Sequence, residues 1–126
     1  MDVLHTAVWI DDVDSVMEFY CEGLDLERTR DFVGDDGVTN YYVQGEAEAE
    51  IQFKHDADRN LDLEPSGIDH IAIGVDDVES TLERLVEGYD SEVVDGPRRI
   101  ERSNLLIAFV TDPSGYVVEL IESLDE

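Results

Sequence analysis

Apolar and polar positions fall into two matching runs along this chain. Val3–Ile10 is apolar and β-branched and predicts a strand. Asp11 or Asp12 follows as a helix N-cap, and Val13, Val16, Met17 and Tyr20 then recur at the i, i+3, i+4, i+7 spacing of one helical face. Gly23 closes that helix. Leu24–Phe32, Val38–Val43 and Ala47–Lys54 predict three more strands, punctuated by the Gly34-Asp-Asp-Gly37 turn and by Gly45. The same order then returns. Ile68–Val75 predicts a strand, and Asp76 with Glu79 three residues on has the capping-box pattern. Val78, Leu82, Leu85 and Val86 form a second helical stripe, ended by Gly88. Glu92–Asp95, Leu105–Thr111 and Tyr116–Glu122 complete the strands. Asp112-Pro-Ser-Gly115 joins the last two as a tight turn, because Pro presets φ and Gly supplies positive φ.

The two runs are copies of one pattern. Residues 5–25 laid over 70–90 share His, Ala, Asp, Asp, Val, Ser, Glu, Glu, Gly and Asp in register. A repeat of this length, present twice, predicts a duplicated module and not a solenoid. The expected fold class is α+β: two paired βαβββ modules forming an open, cupped mixed β-sheet. Module one spans residues 1–55, a polar linker 56–67, and module two 68–126, all within one domain.

Composition narrows the function. The formal net charge is −25, from 33 acidic and 8 basic residues, and Lys54 is the single lysine. The acidity is spread along the chain. Such a surface stays hydrated and repels itself, and concentrated salt screens that repulsion. An extreme halophile is the expected source. Nucleic acid and anionic membranes are disfavoured as partners, since neutralising phosphates takes basic patches. The N-terminus has no basic and apolar leader pattern, and no apolar run reaches membrane-spanning length, so the expected location is the cytoplasm. Cys21 is the one cysteine and reads as helix packing.

Each module carries a polar residue near the start of its first strand and another in its last: His5 with Gln52, then His70 with Glu119. Gln52 and Glu119 each lie between apolar neighbours, so strand alternation turns them to the opposite face. Two imidazoles, a carboxylate and an amide oxygen are a possible divalent-metal set. The plainer alternative, histidines satisfied within ordinary strands, stays open on spacing alone. Arg98, Arg99 and Arg102 crowd five residues and suit a clamp for a substrate carboxylate or phosphate, or else simple pairing with Asp95 and Glu101.

The segments also resemble a family. Leu4-His-Thr, Ser15-Val-Met-Glu-Phe-Tyr20, Gly67-Ile-Asp-His-Ile-Ala-Ile-Gly-Val-Asp76 and above all Ile107-Ala-Phe-Val-Thr-Asp-Pro-Ser-Gly-Tyr-Val-Val-Glu-Leu-Ile-Glu122 resemble the vicinal oxygen chelate superfamily. The nearest likeness is to short glyoxalase I enzymes, and it covers nearly the whole chain. The resemblance implies a glyoxalase-like fold, a homodimer and a small-molecule substrate. It also implies one divalent metal ion per site (Ni, Co, Zn, Mn or Fe) held by His5, Gln52, His70 and Glu119. Three departures stand out. Gln52 replaces the Glu of most short glyoxalases and resembles methylmalonyl-CoA epimerases. Trp9 stands where glutathione-binding members have Arg, and Asp56 where they have Asn. With His55, these positions are candidate substrate contacts.

The chemistry implied is a lyase or isomerase reaction through an enediolate, on a 2-oxoaldehyde thiohemiacetal or a similar substrate with neighbouring oxygens. A metal acts there as a Lewis acid, and a base moves a proton between adjacent carbons. Glu119 is the candidate catalytic base, because Gln52, an amide, cannot serve. Competing readings are a ring-cleaving dioxygenase using His, His and Glu, an epimerase-like enzyme, and a bleomycin-resistance-type binding protein without catalysis. Fold alone does not choose among them.

Overall fold

A computed structural model describes residues 1–59, 63 and 67–125. The chain forms two compact units, Met1–Leu63 and Glu64–Glu126. Within the expected linker, residues 60–62 and 64–66 lie outside the described residues.

Unit one runs β1 (His5–Trp9), α1 (Val13–Met17), β2 (Glu27–Val33), β3 (Thr39–Gln44) and β4 (Glu50–His55). Its sheet has the order β1-β4-β3-β2, with β1 parallel to β4 and the other pairs antiparallel. Asp12 caps α1: its Oδ1 accepts the Ser15 backbone N–H at 3.1 Å, which satisfies one of the amides a helix start leaves unpaired. The helix then widens into π-helical turns over Glu18–Gly23. Val16, Phe19 and Tyr20 are fully buried on its inner side, and the Tyr20 ring meets Phe53 of β4 at 4.9 Å between centroids. Cys21 is half-buried next to them, and burial pushes its thiol pKa up.

Unit two repeats the plan with β5 (Ile71–Gly74), α2 (Val78–Gly88), β6 (Val93–Ile100), β7 (Leu105–Thr111) and β8 (Val117–Ser123), in the order β5-β8-β7-β6. The cap of α2 is Asp77, not the expected Asp76: its Oδ1 accepts the Ser80 N–H at 3.1 Å. Only Asp76 has a Glu three residues on, but Asp77 is the residue that adopts extended geometry, with φ −147° and ψ 106°. Val78 and Leu85 of α2 pack with Ala108, Val110, Val118 and Leu120, all fully buried. Alternation along β7 and β8 therefore gives one face to the helix and leaves the other to Phe109 and Glu119.

Strand β6 is longer than the expected Glu92–Asp95. It crosses two irregularities in its pairing with β7, with Gly96 at φ +86° inside the second, between Asp95 and Arg98. A Cβ on Gly96 would lie 2.7 Å from the Ile107 carbonyl oxygen, so only glycine lets β6 approach there. The Asp112–Gly115 turn joins β7 to β8 as expected. Gly115 has φ +92°, and Asp112 Oδ1 accepts the backbone N–H groups of Ser114 and Tyr116, both at 2.9 Å. Among the described residues no helix is long and apolar enough to cross a membrane.

Candidate functional site

The four residues singled out by the repeat occupy equivalent places in the two sheets. In unit one Gln52 pairs with Ala7 on one side and Tyr42 on the other. In unit two Glu119 pairs with Ala72 and Phe109. Each histidine lies two residues before its alanine, hence on the same face. Each meets the matching aromatic edge-on: His5 on Tyr42 at 5.8 Å and 85°, His70 on Phe109 at 5.4 Å and 84°. Both units thus build one arrangement of imidazole, small residue, hydrogen-bonding side chain and aromatic ring.

Unit two holds its pair in direct contact. His70 Nε2 lies 3.1 Å from Glu119 Oε1, and Asp69 Oδ2 holds the other ring nitrogen, Nδ1, at 2.7 Å. The hydrogen bond to Asp69, and after it the charge of Glu119, raises the His70 pKa above its ordinary value against the opposing effect of burial. Asp69 is the nearer of the two acids on the ring and so favours, once the ring is neutral, the tautomer with its proton on Nδ1 and its lone pair on Nε2. That is the donor set a divalent cation takes: an oriented imidazole beside a carboxylate.

In unit one Gln52 is buried, and its Nε2 donates to Asn40 Oδ1 at 2.8 Å. The same Asn40 oxygen accepts Lys54 Nζ at 3.1 Å, while Asn40 Nδ2 donates to the Val38 carbonyl at 3.1 Å. No group of three or more His, Cys, Asp or Glu gathers among the described residues, so each unit offers a donor pair and not a complete set.

The remaining sequence candidates separate by face. Trp9 shares the face of Gln52, with Lys54 Nζ 5.6 Å and the Arg59 guanidinium 5.5 Å from its ring. Asp56 Oδ2 lies 4.0 Å from Arg59 Nε. His55 is three residues past Gln52 and so on the opposite face. Arg98 lies on the Glu119 face, paired with Asp95 at 2.9 Å. Arg99 turns to the other face, where it donates to Asn104 Oδ1 at 2.8 Å. Arg102 sits in the turn beyond β6 and is exposed. The three arginines do not converge on one point. Sequence reasoning missed Asn40, Asp69, Tyr42 and Phe109. Asn40 had a readable signal, a lone amide in the apolar run Val38–Val43, which is the same signal that marked Gln52.

Two mixed four-stranded sheets with this duplicated order define an α+β fold of the glyoxalase type. The chain belongs to the Glyoxalase/Bleomycin resistance protein/Dioxygenase superfamily, whose family model matches residues 2–120. It is 32% identical over 127 residues, covering 98% of this chain and 96% of the relative, to a Synechocystis sp. protein named "Probable lactoylglutathione lyase". It is also 32% identical to the lactoylglutathione lyase of Haemophilus influenzae, over 98% of this chain and 93% of that protein. Among solved structures it is similar to glyoxalase I from Zea mays, with a TM-score of 0.78 and 25% identity. That match covers 98% of this chain and 45% of the maize chain, so this chain spans about half of it.

Proposed function

We propose that the protein is a metal-dependent lyase of the glyoxalase I type, acting on the thiohemiacetal of a 2-oxoaldehyde. The observation that carries this reading is the matched register: His5 with Gln52 and His70 with Glu119, each pair beside an aromatic ring, with the His70 and Glu119 side chains 3.1 Å apart. Full-length similarity to relatives named lactoylglutathione lyase supports it.

In this reading His5, Gln52, His70 and Glu119 hold one divalent ion, which acts as a Lewis acid on the neighbouring oxygens of the substrate. Glu119 is the catalytic base. It takes the proton from the hydroxyl-bearing carbon and returns it to the adjacent carbonyl carbon, while the hydroxyl proton passes to the neighbouring oxygen, which turns the thiohemiacetal into a 2-hydroxyacyl thioester with no net change in atoms. Asp69 keeps Nε2 of His70 turned to the same place. Gln52 would contribute an oxygen without charge, leaving Glu119 as the one carboxylate of the set, which favours the negative charge that develops on the substrate oxygens as the proton leaves carbon. Lys54 and Arg59 beside Trp9 suit an anionic group on the thiol portion of the substrate. We read the protein as a homodimer, as its family resemblance implies, in a salt-rich cytoplasm, a setting that its net charge of −25 suits.

The test is direct. Metal-free protein in multimolar KCl is loaded in turn with Ni²⁺, Co²⁺, Zn²⁺, Mn²⁺ or Fe²⁺ and assayed with methylglyoxal and a panel of thiols. Turnover should depend on metal. Glu119→Gln, compared at matched metal occupancy, should lose about 10²–10⁴-fold in kcat. Near-native turnover in fully loaded Glu119→Gln places the base elsewhere. Sedimentation in the same buffer should give a dimer, and an active monomer would exclude one.

A further inference from the structure

We propose that Asn40 is a positioning residue that decides which end of the Gln52 carboxamide faces the metal. This rests on Gln52 being a ligand. A carboxamide is nearly symmetric in shape, and its two ends differ in chemistry: the oxygen coordinates a cation and the NH₂ group does not. A glutamine ligand is useful only if something sorts the two ends.

Hydrogen-bond logic shows what sorts them. Lys54 Nζ can only donate, and the Val38 carbonyl can only accept. Asn40 lies between them, so the atom toward Lys54 (3.1 Å) must be its oxygen and the atom toward Val38 (3.1 Å) its nitrogen. The atom of Gln52 that lies 2.8 Å from that same Asn40 oxygen must then be a donor, Nε2. The Gln52 oxygen is then the end that does not face Asn40, on a side chain that shares its sheet face with His5. Both amides are buried, Asn40 at 3% and Gln52 at 8% exposure. A reversed Gln52 would set its oxygen against the Asn40 oxygen without water to compensate. The Val38 carbonyl is itself held, since it accepts the Gly34 N–H at 2.8 Å. The chain of constraints thus starts in the β2–β3 turn and ends at the ligand atom.

The test uses the whole protein in multimolar KCl with Co²⁺ as probe. In metal-free wild type, the Gln52 side-chain amide protons should exchange slowly in ¹⁵N NMR, as hydrogen-bonded donors do. Exchange at the rate of a free amide overturns the proposal without any variant. Asn40→Leu removes the acceptor and should weaken Co²⁺ about 10-fold or more, the usual range for groups that orient a ligand. Asn40→Asp still presents an oxygen to both Gln52 and Lys54, so it should restore slow Gln52 exchange and part of the affinity, while its second oxygen, set against the Val38 carbonyl, should lower Tm. Asn40→Leu should add no further loss in a Gln52→Ala background. An equal loss in that background means Asn40 acts through the fold, and the positioning role falls. Unchanged Co²⁺ affinity in Gln52→Ala alone removes Gln52 from the ligand set, and the role of Asn40 with it. Affinity lost in Gln52→Ala but kept in Asn40→Leu overturns the positioning role alone.

Discussion

Asp112→Ala should be among the most damaging substitutions in unit two, although Asp112 lies in the β7–β8 turn and is not one of the proposed ligands. Its Oδ1 accepts two backbone N–H groups, those of Ser114 and Tyr116, and the side chain is buried at 6% exposure. Hydrogen bonds to a charged group contribute about 1.5–3 kcal/mol each, and a buried donor left unpaired costs in the same range. Two bonds lost together give roughly 3–5 kcal/mol, a large part of the 5–15 kcal/mol that holds a domain of this size. The expected fall in Tm is roughly 10–20 °C, interpolating between the sensitivities of smaller and larger domains. Thermal unfolding followed by circular dichroism in multimolar KCl measures it. Asp112→Asn keeps one acceptor oxygen and should lose clearly less. The turn also sets the register of β7 against β8, and a slip of one residue would move Glu119 to the helix face. The variant should therefore lose metal affinity along with stability. A Tm within about 3 °C of wild type in Asp112→Ala would refute the reasoning, because at this size that is less than about 1 kcal/mol for two bonds.

Three further outcomes are expected. The raised pKa of His70 means its contribution to metal-free stability is complete below its ordinary value of about 6.5 and is lost as pH rises through the raised value. Metal uptake, which needs the neutral ring, should improve over the same interval. Asp69→Asn removes the largest cause of the shift, so an NMR titration should find the His70 pKa lowered; an unchanged value means Asp69 does not act on the ring. Gly96→Ala combines φ +86° with a Cβ 2.7 Å from the Ile107 carbonyl oxygen and should cost at least about 3 kcal/mol, read as a lower Tm. Finally, Tm should climb steadily as KCl rises from about 0.1 M toward several molar, because screening relieves the repulsion of 33 acids against 8 bases; a flat profile would separate the acidity from salt adaptation.

Much of the fold was legible because the repeat announces itself twice. Strand alternation placed Gln52 and Glu119 on the face away from the helices, and the helical stripes of Val16 and Leu85 pointed correctly to the core. Boundaries were less legible where neighbouring residues share the same chemistry. Asp76 and Asp77 carry the same side chain, and the Glu79 spacing that pointed to Asp76 did not decide the cap. The length of β6 depends on a close approach at Gly96, which involves a partner strand and leaves little local signal. Parity decided the fate of the substrate candidates. His55 and Arg99 fall one residue out of phase with Lys54 and Arg98, and that single step turns them to the other face. The orientation of Gln52 depends on a three-body contact with Asn40 and Lys54 that no spacing along the chain encodes.

That contact also constrains how the protein can change over generations. Glutamine and glutamate codons differ at one base, so a negative charge at position 52 is one mutation away. A glutamate there would need a donor from Asn40, which is holding out an oxygen to Lys54. Turning the Asn40 amide would press its NH₂ group against the Lys54 ammonium and its oxygen against the Val38 carbonyl. The substitution is therefore epistatic: a lineage reaches a carboxylate at position 52 most readily after position 40 has changed, and Asn40 acts as a ratchet that keeps the glutamine in place.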